Sequence, residues 1–290
     1  MRSDRVVEPG AARRSDVDAA TAGARWVTRW QGWADWPLSR PLLALAAVAV
    51  VLDLTTAWTG TALGSLGRIA TSPALPLGLV LVAWIGAGRM GFSRRQVWAW
   101  REFVLVVGAV LVMATLGYAL AFGRPAEAVG LVVAALGEEL VYRFAGVLVF
   151  GALAARLLGR SWRTPRDWGT APGLVGLAAA AVLFSLLPGH VVQVTGPTTS
   201  LAFASLALLL GYTVLRTGAV WPAAMVHALL NLTTIATWQT GGPQGVRLAL
   251  AATALVALVA AADVAGRRLG LRRRVPTVID LRRAAAPVPS

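Results

Sequence analysis

A polytopic, all-α bundle of about eight membrane-spanning helices is the fold this sequence predicts, and three observations predict it. The chain is 57% hydrophobic and 14% charged, against about 45–50% and about 25% in soluble domains. Its apolar residues gather into eight long blocks. Arginine-rich and arginine-poor stretches alternate between those blocks.

Taken in order, residues 1–22 mix Arg, Asp, Glu, Ala and Gly without periodicity, as a disordered tail does. The first forty residues are too charged, and run too long before the first apolar block, to be a cleaved signal peptide. Trp26, Trp30 and Trp33 recur at helical spacing beside Arg25 and Arg29, and Trp36 continues the run. This is either an interfacial helix with its indoles at headgroup level or an aromatic anchor ahead of the first span. Apolar blocks follow near 41–58, 74–91, 102–122, 128–155, 172–188, 199–216, 219–238 and 246–265. Most approach the ~20 residues that cross a bilayer; the fourth is longer, which calls for tilt or a break. Residues 41–265 thus form the membrane domain, and 266–290 a basic tail, with Pro276, Pro287 and Pro289 marking its end as disordered.

The arginines set the topology. Arg89, Arg94, Arg95 and Arg101 separate blocks two and three, Arg156, Arg160, Arg163 and Arg166 separate four and five, and Arg267, Arg268, Arg272, Arg273 and Arg274 follow block eight. The alternate loops near 59–73, 123–127, 189–198 and 239–245 hold only Arg68 and Arg124. Basic residues stay on the cytoplasmic side, so eight crossings with both termini cytoplasmic fit, in the cell membrane as a multi-pass protein.

Composition also excludes. Net charge is +14 and every basic residue is Arg, but these arginines flank apolar blocks rather than forming a nucleic-acid face, so no nucleic-acid partner is expected. Cysteine is absent, which rules out disulfides, thiolate metal sites and a Cys nucleophile. No internal repeat of the kind that marks inverted-repeat transporters is present.

The fourth block carries Gly137-Glu138-Glu139-Leu140-Val141-Tyr142-Arg143 near its middle. Each ionisable group at that depth costs about 2.5–3.5 kcal/mol, so the chain is expected to place them in a polar cavity. Glu139 and Arg143, four apart, share a helix face and can pair. Glu138 points about 100° away and has Tyr142 at i+4, which leaves its carboxylate for chemistry as a general base. The bland reading is a buried structural ion pair with one spare carboxylate.

There are two histidines. His227 and Asn231 are four apart and face one cavity, where both could donate to a developing oxyanion; equally, they could be interhelical polar contacts. His190 follows Pro188-Gly189, a break that either turns it inward or leaves it at the interface. Asp53 is expected to bond Thr56 or a neighbouring helix, and Asp263 to pair with Arg267. No phosphate loop, His-Glu-x-x-His or Gly-x-Ser-x-Gly is present.

At these residues the chain resembles the CPBP family, the bacterial Abi and CAAX-prenyl-protease-2-related intramembrane proteases. That family carries Glu-Glu-x-x-x-Arg, Phe-x-x-x-His and His-x-x-x-Asn on successive membrane helices. Here the first is Glu138, Glu139 and Arg143 and the third is His227 and Asn231. The middle motif departs in spacing: Phe184 is present, Pro188 stands four on, and the histidine comes at His190. The resemblance covers roughly residues 100–240. It implies an all-helical enzyme that hydrolyses peptide bonds of membrane-bound or lipidated substrates among membrane lipids. Glu138 would activate water with help from His190, Asn231 and His227 would stabilise the oxyanion, and Glu139 and Arg143 would hold the site. No cofactor is expected, since a Glu–His pair with oxyanion donors suffices; a zinc ion on Glu138, His190 and His227 is the other chemistry open to these residues. Two further functions compete with proteolysis: a non-catalytic membrane binding or immunity factor of the same fold, and a proton-coupled transporter with Glu138 and His227 as relay groups.

Overall fold

The computed structural model describes residues 36–240 apart from 62, 67–68, 93–96, 98–100, 192–195 and 218. The eighth apolar block, the segment from Trp26 to Trp33, Asp263 with Arg267 and the basic tail lie outside the described residues.

Helices account for most of the described chain. α1 spans Arg40–Thr59. The Ser39 hydroxyl caps it by accepting from the Leu42 amide, and Gly60 ends it at φ 68°, a left-handed conformation that a side chain would disfavour. A short antiparallel hairpin follows, β1 (Gly64–Leu66) with β2 (Ile69–Thr71), pairing Gly64 with Thr71 and Leu66 with Ile69. The sequence gives no alternating pattern long enough to announce it, and it is an addition to the all-α expectation. α2 is Ala74–Ile85, α3 Arg101–Phe122 and α4 Pro125–Leu157. α5 (Pro165–Trp168) is a single turn. α6 is Thr170–Ser185, α7 the single turn Pro188–Val191, α8 Pro197–Thr217 and α9 Trp221–Gln239.

α1, α3 and α4 are long and apolar enough to cross a membrane, and α2, α6 and α8 contain shorter apolar runs. The outer face of α3 shows what surrounds them. Leu105, Met113 and Leu120 there are 69%, 69% and 83% exposed. Contiguous apolar surface of that kind suits lipid, not water.

α4 is where the long fourth block departs from a plain helix. Its middle, Glu139–Gly146, widens into a π-helical stretch between regular α-helical runs Pro125–Glu138 and Val147–Leu157. Every residue of that stretch is buried, although it includes Glu139, Tyr142 and Arg143. Such widened turns are rare and concentrate at functional sites.

Small residues set how closely the neighbours approach α4. A Cβ added at Gly176 of α6 would stand 2.8 Å from the Val147 carbonyl and 2.9 Å from the Gly151 amide nitrogen. A Cβ at Gly78 of α2 would fall 2.6 Å from the Leu140 Cβ. Where lipid removes the hydrophobic drive for helix pairing, close backbone contact of this kind supplies the packing.

Trp36 corrects the sequence expectation. It is 1% exposed, packs edge-on against Phe144 at 4.6 Å between ring centroids, and donates its indole N–H to the Arg89 carbonyl at 3.2 Å. It belongs to the core rather than to a headgroup belt, because residues 36–39 lie against the backbone at Arg89 and Arg163.

Candidate active site

α4, α9 and the α6–α7 turn bring the polar groups together. Arg143 is fully buried, and its Nε lies 3.7 Å from Glu139 Oε2. Its guanidinium sits over the Phe184 ring at 4.3 Å to the centroid. An ion pair and a cation–π contact thus share one cation. His227 Nδ1 is 2.9 Å from Glu139 Oε1, so Glu139 bridges the arginine on its own helix and the histidine on α9.

The α6 helix ends at Ser185, and the Pro188–Val191 turn carries His190 back over Phe184. The His190 Nδ1 lies 2.7 Å from the Phe184 carbonyl, and the two rings meet at a tilt of 49° with 4.2 Å between centroids. His190 therefore turns inward, and Phe184 is its anchor. Phe184 also meets His227 edge-on at 5.4 Å and Tyr142 at 5.8 Å. One aromatic ring packs against four polar side chains of the site, Arg143, Tyr142, His190 and His227.

Hydrogen-bond roles follow from the partners. A carbonyl and an ionised carboxylate only accept, so Nδ1–H of both His190 and His227 is the donor. As neutral imidazoles both then present Nε2 as a lone pair. The Nε2 of His227 stands 3.5 Å from Glu138 Oε2, too far for a good direct bond. Two acceptors facing each other at that distance call for something that donates to both or binds both, a water molecule or a cation. One donor atom each from Glu138, His190 and His227 lie within 4.8 Å of one another.

Glu138 and His190 line a cavity of about 470 Å³, together with Asp53, Thr56, Gly60 and Gly137 among others. Glu138 is 23% exposed into that space, while Glu139 beside it is sealed. The two adjacent carboxylates therefore have different surroundings. Asn231 is one turn beyond His227 on α9 and half-buried. It makes no side-chain hydrogen bond among the described residues, and it does not line the cavity.

Asp53 takes the neighbouring-helix option expected for it, and Tyr142 is the partner that sequence reasoning missed. The Tyr142 hydroxyl donates to Asp53 Oδ2 at 2.8 Å, and Ser72 also hydrogen-bonds that carboxylate. Asp53 thus finds its partner on neighbouring elements, whereas Thr56 donates to the backbone carbonyls of Leu52 and Asp53. A lone Asp in an apolar block was the available signal. Its partner lies 89 residues away, beyond any helical spacing.

A zinc ion fits this donor set. One carboxylate and two imidazoles suit a catalytic zinc. Glu138 Oε2 is a buried atom with no hydrogen-bond partner among the described residues. Each histidine gives its other nitrogen to a carbonyl or carboxylate, as metal-binding histidines commonly do.

Residues 125–233 match the family model described as Rce1-like, type II CAAX prenyl endopeptidase. The matched segment falls inside residues 100–240 and contains all six candidate residues, and it agrees with the CPBP and CAAX-protease resemblance of the motifs. No curated protein and no solved structure matches the chain.

Proposed function

We propose that this chain is an intramembrane endopeptidase that hydrolyses peptide bonds of membrane-anchored substrates with a glutamate-activated water. The observation that carries this is the cluster of Glu138, His190 and His227 within 4.8 Å, two of them lining one cavity, inside a segment that matches a prenyl endopeptidase family. The chain sits in the membrane with eight crossings and both termini cytoplasmic, as the arginine alternation requires.

In the reaction, Glu138 takes a proton from water held by the His190 lone pair. The hydroxide so formed adds to the substrate carbonyl carbon. The Asn231 amide donates to the developing oxyanion. His227 joins it by sharing at Nε2 the proton that Glu138 has drawn from water, because its other proton is committed to Glu139. Collapse of the intermediate breaks the C–N bond, and the proton on Glu138 passes to the departing amine. Arg143 and Phe184 hold Glu139, and through it His227, in position.

A second reading is favoured by the donor set itself: Glu138, His190 and His227 would hold zinc, and the ion would supply an acidified water and a Lewis acid.

The test is hydrolysis of a membrane-bound or prenylated reporter peptide by the purified full chain. Glu138→Gln should lower the rate by about 10²–10⁴-fold, the usual contribution of a general base. Hydrolysis that survives the substitution ends the proposal.

A further inference from the structure

The arginine-rich connections and the cavity lie at opposite ends of the bundle. At one end the Leu38 amide donates to the Arg163 carbonyl (2.9 Å), Trp36 to the Arg89 carbonyl (3.2 Å) and the Trp221 indole to the Gly91 carbonyl (2.9 Å). These bonds gather the start of α1, the turn after α2, the α4–α5 connection and the start of α9. The chain connections there, 86–101 and 156–166, hold eight arginines: 89, 94, 95, 101, 156, 160, 163 and 166.

The cavity is lined instead by the far end of α1 (Thr56, Gly60), the hairpin (Leu63, Ile69), the start of α2 (Leu75) and the first half of α4. α1 alone separates the two ends by about 30 Å. The connections at the cavity end, 60–73, 123–124 and 186–197, hold two arginines, 68 and 124. At the arginine-rich end Trp36, Trp168 and Met90 are buried, at 1%, 0% and 0% exposed.

We propose that the cavity leading to Glu138 and His190 opens on the extracytoplasmic face, and that its substrates are membrane-anchored proteins presenting an extended, non-acidic segment at that face. Short connections with excess arginine stay in the cytoplasm, and eight against two is a decisive excess. Among the described residues the cavity walls carry Asp53 and Glu138 and no arginine, so an acidic segment would be repelled. A volume near 470 Å³ takes a few residues in extended form, not a folded domain. The identity of what enters rests on the proteolytic reading above; the direction of opening does not.

The chain has no cysteine, so single-cysteine variants of the full protein need no background removal. Ser65→Cys sits on the exposed hairpin at the cavity end and Ser161→Cys on the exposed α4–α5 connection at the other. In intact cells, a membrane-impermeant maleimide should label Ser65→Cys as fully as it does after permeabilisation, and Ser161→Cys only after permeabilisation. Ala126→Cys and Arg160→Cys, both exposed positions, repeat the comparison at the two ends should either serine variant fail to fold. The reverse labelling pattern overturns the orientation, whatever the enzyme does. In parallel, a single-span reporter carries the same non-acidic segment on its outer or its inner flank. Cleavage of the outer form alone, lost in Glu138→Gln, supports the proposal. Cleavage of the inner form alone overturns it. If labelling places Ser65 outside and neither reporter is cut, the orientation stands and the substrate assignment falls.

Discussion

Glu139 holds two partners at once: His227 Nδ1 at 2.9 Å through one oxygen and Arg143 Nε at 3.7 Å through the other. All three side chains are buried. Neither contact alone explains an anion in that setting. Together they place one negative charge between a fixed cation and a ring whose proton it orders, which couples helix packing to the state of the imidazole facing Glu138.

Removing one member of this buried pair should therefore cost more than removing both. Arg143→Met leaves Glu139 without its cation and should destabilise the protein by about 3–5 kcal/mol. Adding Glu139→Gln should restore a large part of that loss. Thermal unfolding of the single and double variants in detergent reads the cycle; additive losses would refute the coupling.

Tyr142→Phe removes the hydroxyl that donates to the 3%-exposed Asp53. A buried acceptor losing a partner costs about 1–3 kcal/mol. Asp53→Asn in the same background should recover part of it, since an amide leaves no charge to solvate. Unfolding midpoints of the three variants check the order.

Gly176→Ala places a methyl group against the backbone of α4, which has no side chain to swing aside. Overpacking of this kind costs about 1–3 kcal/mol. The same substitution at Gly173, where nothing lies within 4 Å, should leave the unfolding midpoint unchanged.

Chelation separates the two sources of activated water. With the carboxylate as base, hydrolysis of the reporter should persist after exhaustive treatment with a strong chelator. Loss of activity that zinc restores, together with loss of bound metal in His190→Ala by elemental analysis, would assign the three side chains to an ion instead.

Most of the helical framework was legible in the sequence because lipid demands long apolar runs. The blocks at 41–58, 102–122 and 219–238 correspond closely to α1, α3 and α9. The Glu139–Arg143 pair was legible for a similar reason, being local to one helix. What could not be read depends on distance along the chain. The His227–Glu139 bond joins residues 88 apart, and Tyr142–Asp53 joins residues 89 apart. No periodicity encodes either. The inward turn of His190 was open between two outcomes, since Pro188-Gly189 ends a helix without saying where the chain goes next. Trp36 misled because indoles suit both a headgroup layer and a tight core, and only the backbone of the 88–92 turn distinguishes them.

The widened turn at Glu139–Gly146 makes chain length itself part of the candidate site. Excising one residue there would let the segment relax to a regular pitch while the helix beyond it keeps its facing, because a wide turn holds more residues than a regular one. Gly146 and Gly151 would stay close to Ala180 and Trp168. A deletion between Glu139 and Arg143 would then break their pairing and leave the rest of the helix seated.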